Sequence, residues 1–180
     1  MDDVIKNLHG LLETPGLPDL GPNPRSGTEK PAALNKKLDA ILGDSKVPSR
    51  NQQLIRALIH LWHDHLDSAH SLAQEIEGPD GAFVHGIMHR REPDYGNAAY
   101  WFRRVGQHAE FPEIGKRAAL IPEVRASPKI YSALFPASGW DPFAFINLCE
   151  RYARTEDAAR SALQKIQAAE TEVLLERFGG

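Results

Sequence analysis

Apolar residues recur every three or four positions along most of this chain, the period of a helix that buries one face. Leu54, Ile55, Leu58, Ile59 and Trp62 share such a face, and Leu66, Ala69, Leu72, Ala73 and Ile76 share the next, with Asp64-His65 interrupting between them. Phe83, Val84, Ile87 and Met88 mark a third helix, and Tyr95, Ala98, Ala99, Phe102 and Val105 a fourth, ended by Gly106. The start signals are local. Ser49 and Gln52 have capping-box spacing. Gly78-Pro79-Asp80 reads as a stop and a restart with Asp80 as cap, and Pro93 disfavours helix at Glu92.

The flanks are less regular. Val4, Ile5, Leu8 and Leu11 or Leu12 predict a short helix over 2–12, and the prolines and glycines between 15 and 27 then break regular structure. Residues 1–31 therefore read as an irregular arm, with Leu17 and Leu20 packing onto the body. Pro31 to Leu42 is a helix with Pro in its first turn and Gly43 as its natural C-terminal cap. Short helices are expected over 111–120 and 128–134, with Pro122 and Pro128 bracketing a connector. Asp141-Pro142 starts another helix. Thr155, Glu156 and Asp157 start the last, which runs to about Phe178 with Leu163, Ile166 and Val173 in its stripe. No alternating segment long enough for a strand occurs. The expected fold is all-α, a single helical domain over 1–180: two stacked hairpins within 50–105, an N-terminal arm, and a C-terminal helix pair over 141–178 that caps the open end of the stack.

The four central helices look like one pair written twice. At a shift of 29 residues Leu54 meets Phe83, Ile55 meets Val84, Leu58 meets Ile87, His60 meets His89, Leu66 meets Tyr95, and Ala69 meets Ala98. Gly86, His89, Asp94-Tyr95, Ala98, Phe102 and Val105 are spaced like a tetratricopeptide repeat. The run Asp94 to Arg103 resembles the second helix of a Sel1-like repeat. The likeness covers about residues 50–105. His89 stands where those families prefer an aromatic residue, and Pro93 where they prefer glycine. The chain as a whole is also similar to uncharacterised bacterial proteins, which implies no activity. The repeat resemblance implies TPR-like stacking and a surface that binds proteins.

Composition narrows the class. A net charge of −3 leaves no basic footprint for nucleic acid, and no apolar run approaches the ~20 residues that span a membrane. One cysteine, Cys149, excludes an internal disulfide and any zinc framework of two thiolates. The acidic N-terminus lacks an apolar signal core. The expected setting is the cytoplasm. No cofactor is implied, and the oligomeric state is not specified.

Seven of the eight histidines fall between 51 and 110, which directs attention to that segment. His85 and His89 are four apart, on one helical face. The helical zinc motif needs a Glu after the first His, and Gly86 stands there, so no metal set is assigned. His89-Arg90-Arg91-Glu92 forms the most polar helix–turn junction, and Arg103 and Arg104 follow on the next helix. Four guanidiniums would suit a carboxylate or phosphate. Their alternative is pairing with Glu92, Asp94, Asp80 and Glu110 on a solvated face. Of Tyr100 and Trp101, one should pack on a neighbouring element and the other line a groove. The expected binding residues are His85, His89, Arg90, Arg91, Glu92, Tyr100, Arg103 and Arg104, and the partner a protein or a small anionic ligand. No catalytic residue is assigned. The alternative is a metal-dependent hydrolase using His60, His85 and His89. Gln167 and Glu170, three apart, would reach the histidine face if the last helix packed there.

Overall fold

The computed structural model describes residues 2–137 and 139–180. Among the described residues it contains helices and no strand, in the order α1 (Asp2–Gly10), α2 (Pro31–Leu42), α3 (Ser49–Trp62), α4 (Leu66–Ala73), α5 (Gly78–Arg91), α6 (Tyr95–Val105), α7 (Phe111–Leu120), α8 (Pro122–Arg125), α9 (Pro128–Leu134), α10 (Pro142–Tyr152) and α11 (Ala158–Gly179). The class is all-α, as the apolar period requires. No helix among these residues is long and apolar enough to cross a membrane.

The central helices repeat in register. α3 and α5 begin at 49 and 78 and end at 62 and 91, and α4 and α6 begin at 66 and 95, so each difference is 29. The backbone entering the second helix of each pair repeats as well: His65 has φ −96°, ψ 69°, and Asp94 φ −99°, ψ 72°. Small residues set the approach within each pair. Ala69 and Ala73 on α4 and Ala98 on α6 are buried, and a Cβ at Gly86 on α5 would lie 2.7 Å from the Phe102 ring.

Several end signals act differently from the sequence expectation. Ser49 is the first helical residue of α3 and makes no side-chain cap. Its box partner Gln52 instead donates to the Leu42 and Val47 carbonyls, tying down the link from α2. Gly43 is the C-cap of α2 but remains right-handed (φ −58°), and what favours glycine there is close approach, since a Cβ would lie 2.7 Å from the Asp39 carbonyl oxygen. Asp80 lies inside the first turn of α5 rather than capping it. Its carboxylate takes His108 (3.1 Å) and Arg177 (3.0 Å), which fastens α11 to the α5 terminus. By contrast Asp141 caps α10 through the Phe143 and Ala144 amides, Asp94 caps α6 through Asn97, and Asp157 caps α11 through Arg160. The connector after Pro122 winds into the single turn of α8.

α11 is a central strut rather than an end cap. Its stripe residues Leu163, Ile166 and Val173 are buried, as are Gln167, Glu170, Thr171, Leu174 and Leu175 around the rest of its circumference. Its first half belongs to a cluster with Val124, Leu134, Phe145 and Cys149, and its second half to the large cluster of α1–α6. A helix buried on nearly all sides must satisfy its polar residues internally, and the partners it recruits define the rest of the structure.

The N-terminal arm is one of those partners. Leu11 and Leu20 are buried and Leu17 half-buried. With little backbone pairing of its own, the arm depends on side chains from the body. Trp62 Nε1 donates to the Leu12 carbonyl, and Gln164 and Gln167 donate to the Pro18 and Asp19 carbonyls. Arg160 pairs with the Asp19 carboxylate at 2.7 Å. His63 and His65, two of the seven histidines between 51 and 110, serve the arm as well. His63 Nε2 donates to the Leu11 carbonyl while its Nδ1 accepts from the Glu29 amide, and His65 Nε2 donates to the Glu29 carbonyl.

Candidate functional site

The expected binding residues do not form one surface. Arg90 and Arg91 are adjacent on α5, so their side chains leave the helix about 100° apart, and both are buried. Arg90 forms a two-pronged pair with Glu170 of α11 and lies 4.4 Å over the Phe145 ring. Arg91 donates to Asp64 (2.8 Å) and to the Leu61 and Gly21 carbonyls. Neither pairs with the surface carboxylates expected of it, and neither is available to a ligand. Both arginines are structural, which corrects their assignment to the working face. Arg103 and Arg104 are exposed on α6.

Removing those two leaves a smaller corner where α4, α5 and α6 meet. His85 and His89 lie one turn apart on α5 with their rings stacked, centroids 4.9 Å apart and 10° from parallel. His70 of α4 meets both edge-on, at 5.1 and 5.5 Å. One ring nitrogen from each of the three lies within 4.8 Å of the others. Trp101 covers the outer side of His85 at 4.0 Å and 15°. It therefore packs on α5, not on the last helix. Tyr100 beside it is 46% exposed, and the Arg104 guanidinium spans the two rings at 5.4 and 5.9 Å.

Electrostatics keep the inner imidazoles neutral. Burial, reinforced by His89 and His70, pulls His85 down to about 4. Burial also lowers His89, against the opposing pull of Glu92. The half-buried Glu92 carboxylate sits 3.1 Å from His89 Nδ1 and 3.9 Å from His70 Nδ1. Asn97 Nδ2 approaches His89 Nε2 at 3.1 Å.

His60 is not part of this group. It points toward α2, where Nε2 meets Asn35 Oδ1 at 2.9 Å and Nδ1 is buried without a partner. Among the described residues the histidine trio is His70, His85 and His89, and His70 is the member that helical spacing does not indicate. Glu170 reaches the arginine beside His89, and Gln167 reaches the arm, so neither touches the histidines. Cys149 is buried, and burial pushes its thiol up to about 12, which leaves no nucleophilic thiolate. No family model, characterised protein or solved structure matches the chain.

His60 carries a pH signature of its own. Burial first, then His65, His63 and Arg56, hold its pKa at about 4 against an ordinary 6.5. The unfolded chain thus takes up a proton below pH 6.5 that the folded protein refuses until about pH 4, so stability falls as pH drops through that window. The His60 share amounts to roughly 2 kcal/mol between pH 7.5 and 5. Urea unfolding at those two pH values checks it. His60→Gln should narrow the difference between them by about that amount, and a variant with the wild-type difference would show that His60 protonates freely in the fold.

Proposed function

We propose that this chain is a helical binding module whose working face is the α4–α6 corner, and that the cleft there takes a small anionic ligand with a flat ring. The observation that carries this reading is a cleft of about 300 Å³ lined by Ile76, Gly78, Pro79, Ala82, Trp101 and Arg104, with Gln74 and Glu77 completing its wall. An indole offers a stacking face, and a guanidinium beside it offers charge-assisted donors in a fixed fork. Exposed Tyr100 extends the aromatic side of the same face. The paired hairpins support the same class, since helical repeats of the tetratricopeptide and Sel1-like kind stack into binding surfaces, although fold alone assigns no ligand. The lone buried thiol fits a reducing compartment, and we place the module in the cytoplasm.

Titrating isotope-labelled protein with a panel of aromatic carboxylates and mononucleotides tests the reading. A ligand of the right class should shift the Trp101 indole and Gly78 amide signals together. Arg104→Ala should weaken its binding about 10-fold or more, the value of a charge-assisted contact. Signals that move diffusely, or an affinity indifferent to Arg104→Ala, would remove the cleft from consideration.

A further inference from the structure

We propose that His70, His85 and His89 form a binding site for one divalent transition-metal ion, with zinc the ion that three imidazole donors fit best. The inference does not rest on the neighbouring cleft. It begins from how the other histidines of the middle segment are used. His60 meets Asn35, His63 meets Leu11 and Glu29, His65 meets Glu29, and His108 meets Asp80 and the Glu110 amide. Each therefore serves a protein partner. Among the described residues the His70 and His85 rings make no hydrogen bond, although His85 is buried. Rings at His70 and His85 that serve no hydrogen-bonded protein partner pack less well than apolar residues would, and with His89 they share one property, ring nitrogens that converge.

The geometry and the charge both suit a cation. Zinc–nitrogen bonds of ~2.0–2.1 Å put tetrahedral donors ~3.4 Å apart. The present separations, within 4.8 Å, require the rings to close by roughly 1 Å onto the ion, which side-chain torsions supply. Glu92 is the outer partner such a site needs. Its carboxylate at His89 Nδ1 orients that ring and frees Nε2 as the donor. The Asn97 amide now near Nε2 would yield that position to the ion. Arg90, the nearest buried cation in sequence, is neutralised by Glu170. Half-buried His70 leaves the site open on one side, so a fourth coordination position remains for water or a ligand atom.

The test uses untagged, chelator-stripped, full-length protein. Cobalt(II) is titrated in and followed by its visible absorption, and zinc is then added as competitor. The expected result is one equivalent of cobalt bound in a low-symmetry, four- or five-coordinate site and displaced by one equivalent of zinc. Glu92→Gln should weaken binding ~10–100-fold, as loss of an outer partner does, and His70→Ala and His85→Gln should each weaken it further. His9→Ala and Arg104→Ala should leave it unchanged, the latter separating this site from the cleft. His70 lies on a short, half-buried helix, so His70→Ala decides the matter even if His85→Gln unfolds. Absence of stoichiometric cobalt uptake, or uptake that survives His70→Ala in a protein of native circular dichroism, would overturn the proposal.

Discussion

Glu170→Ala should lower the free energy of unfolding by about 3–5 kcal/mol, the cost of leaving a buried charge without its partner. The side chains of Arg90 and Glu170 are 0% and 1% exposed, and water cannot replace what the substitution removes. Arg90 already holds a buried Nε without a hydrogen bond, so its remaining satisfaction comes from the two carboxylate oxygens and from the face of Phe145. Glu170 stands on α11 between Ile166 and Val173, where the two apolar clusters adjoin. The pair is therefore a polar tie across the seam between them. Its net worth is a separate matter from the cost of breaking it. A buried pair repays much of its own desolvation, and an apolar pair of similar volume is often as stable. Accordingly Arg90→Met combined with Glu170→Leu should recover most of the loss, while Glu170→Gln, which keeps an acceptor but not the charge, should fall between. Urea denaturation with an unchanged slope measures all three. A single-variant loss below about 1 kcal/mol would mean that Arg90 finds another anion or escapes to solvent.

How this pair was hidden explains what the sequence makes legible. Period and punctuation predict the helices well because each signal lies within a few residues of what it controls: the α3–α6 stripes and Asp141 before Pro142 hold in the structure, and the starts of α3 and α5, and of α4 and α6, are 29 residues apart. The site was less legible because its partners are distant. An Arg-Arg dipeptide at a helix end followed by Glu and Asp looks like solvated charge, and nothing local reveals that Glu170 arrives from 80 residues away or Asp64 from 27. The histidines show the same limit. Four-residue spacing identifies His85 and His89 as one stripe, but the third ring depends on which helix faces that stripe. The repeat register favoured His60 on α3, whereas the short α4 lies against α5 and contributes His70. The arm was legible only as irregular. Its fixation comes from His63, His65, Gln164 and Gln167, whose polar character gives no hint of carbonyl targets so far away.

Asp64 should prove the other position where one substitution undoes the most, through three additive causes. Its Oδ1 accepts from Arg91 at 2.8 Å, and its Oδ2 accepts from the Arg25 side chain at 2.8 Å and the Arg25 amide at 3.0 Å. Asp64→Ala strands the buried Arg91, which costs about 3–5 kcal/mol by the same reasoning as for Arg90. It also releases Arg25, which binds Thr14 and the Gly16 and Trp62 carbonyls and so pins the arm to the α3 terminus. Finally, Asp64 has φ +66°, a left-handed conformation that aspartate and asparagine tolerate and that costs an alanine roughly 1–2 kcal/mol. Three variants separate these causes. Asp64→Gly relieves the backbone while losing both ion pairs, so it should be more stable than Asp64→Ala by about that conformational difference. Asp64→Asn keeps the backbone preference and one acceptor oxygen, so it should be the least damaged. Hydrogen exchange supplies the local readout: amides over 11–29 should lose protection in Asp64→Ala before those of α5, because the Arg25–Asp64 pair is one of the arm's ties to the body while α5 stays clamped by α6. Should Asp64→Asn keep full arm protection, neutral hydrogen bonds suffice to dock the arm and the charge serves Arg91 alone. Should Asp64→Gly and Asp64→Ala prove equally stable, the left-handed residue imposes no cost, and the turn that carries α3 into α4 relaxes without it.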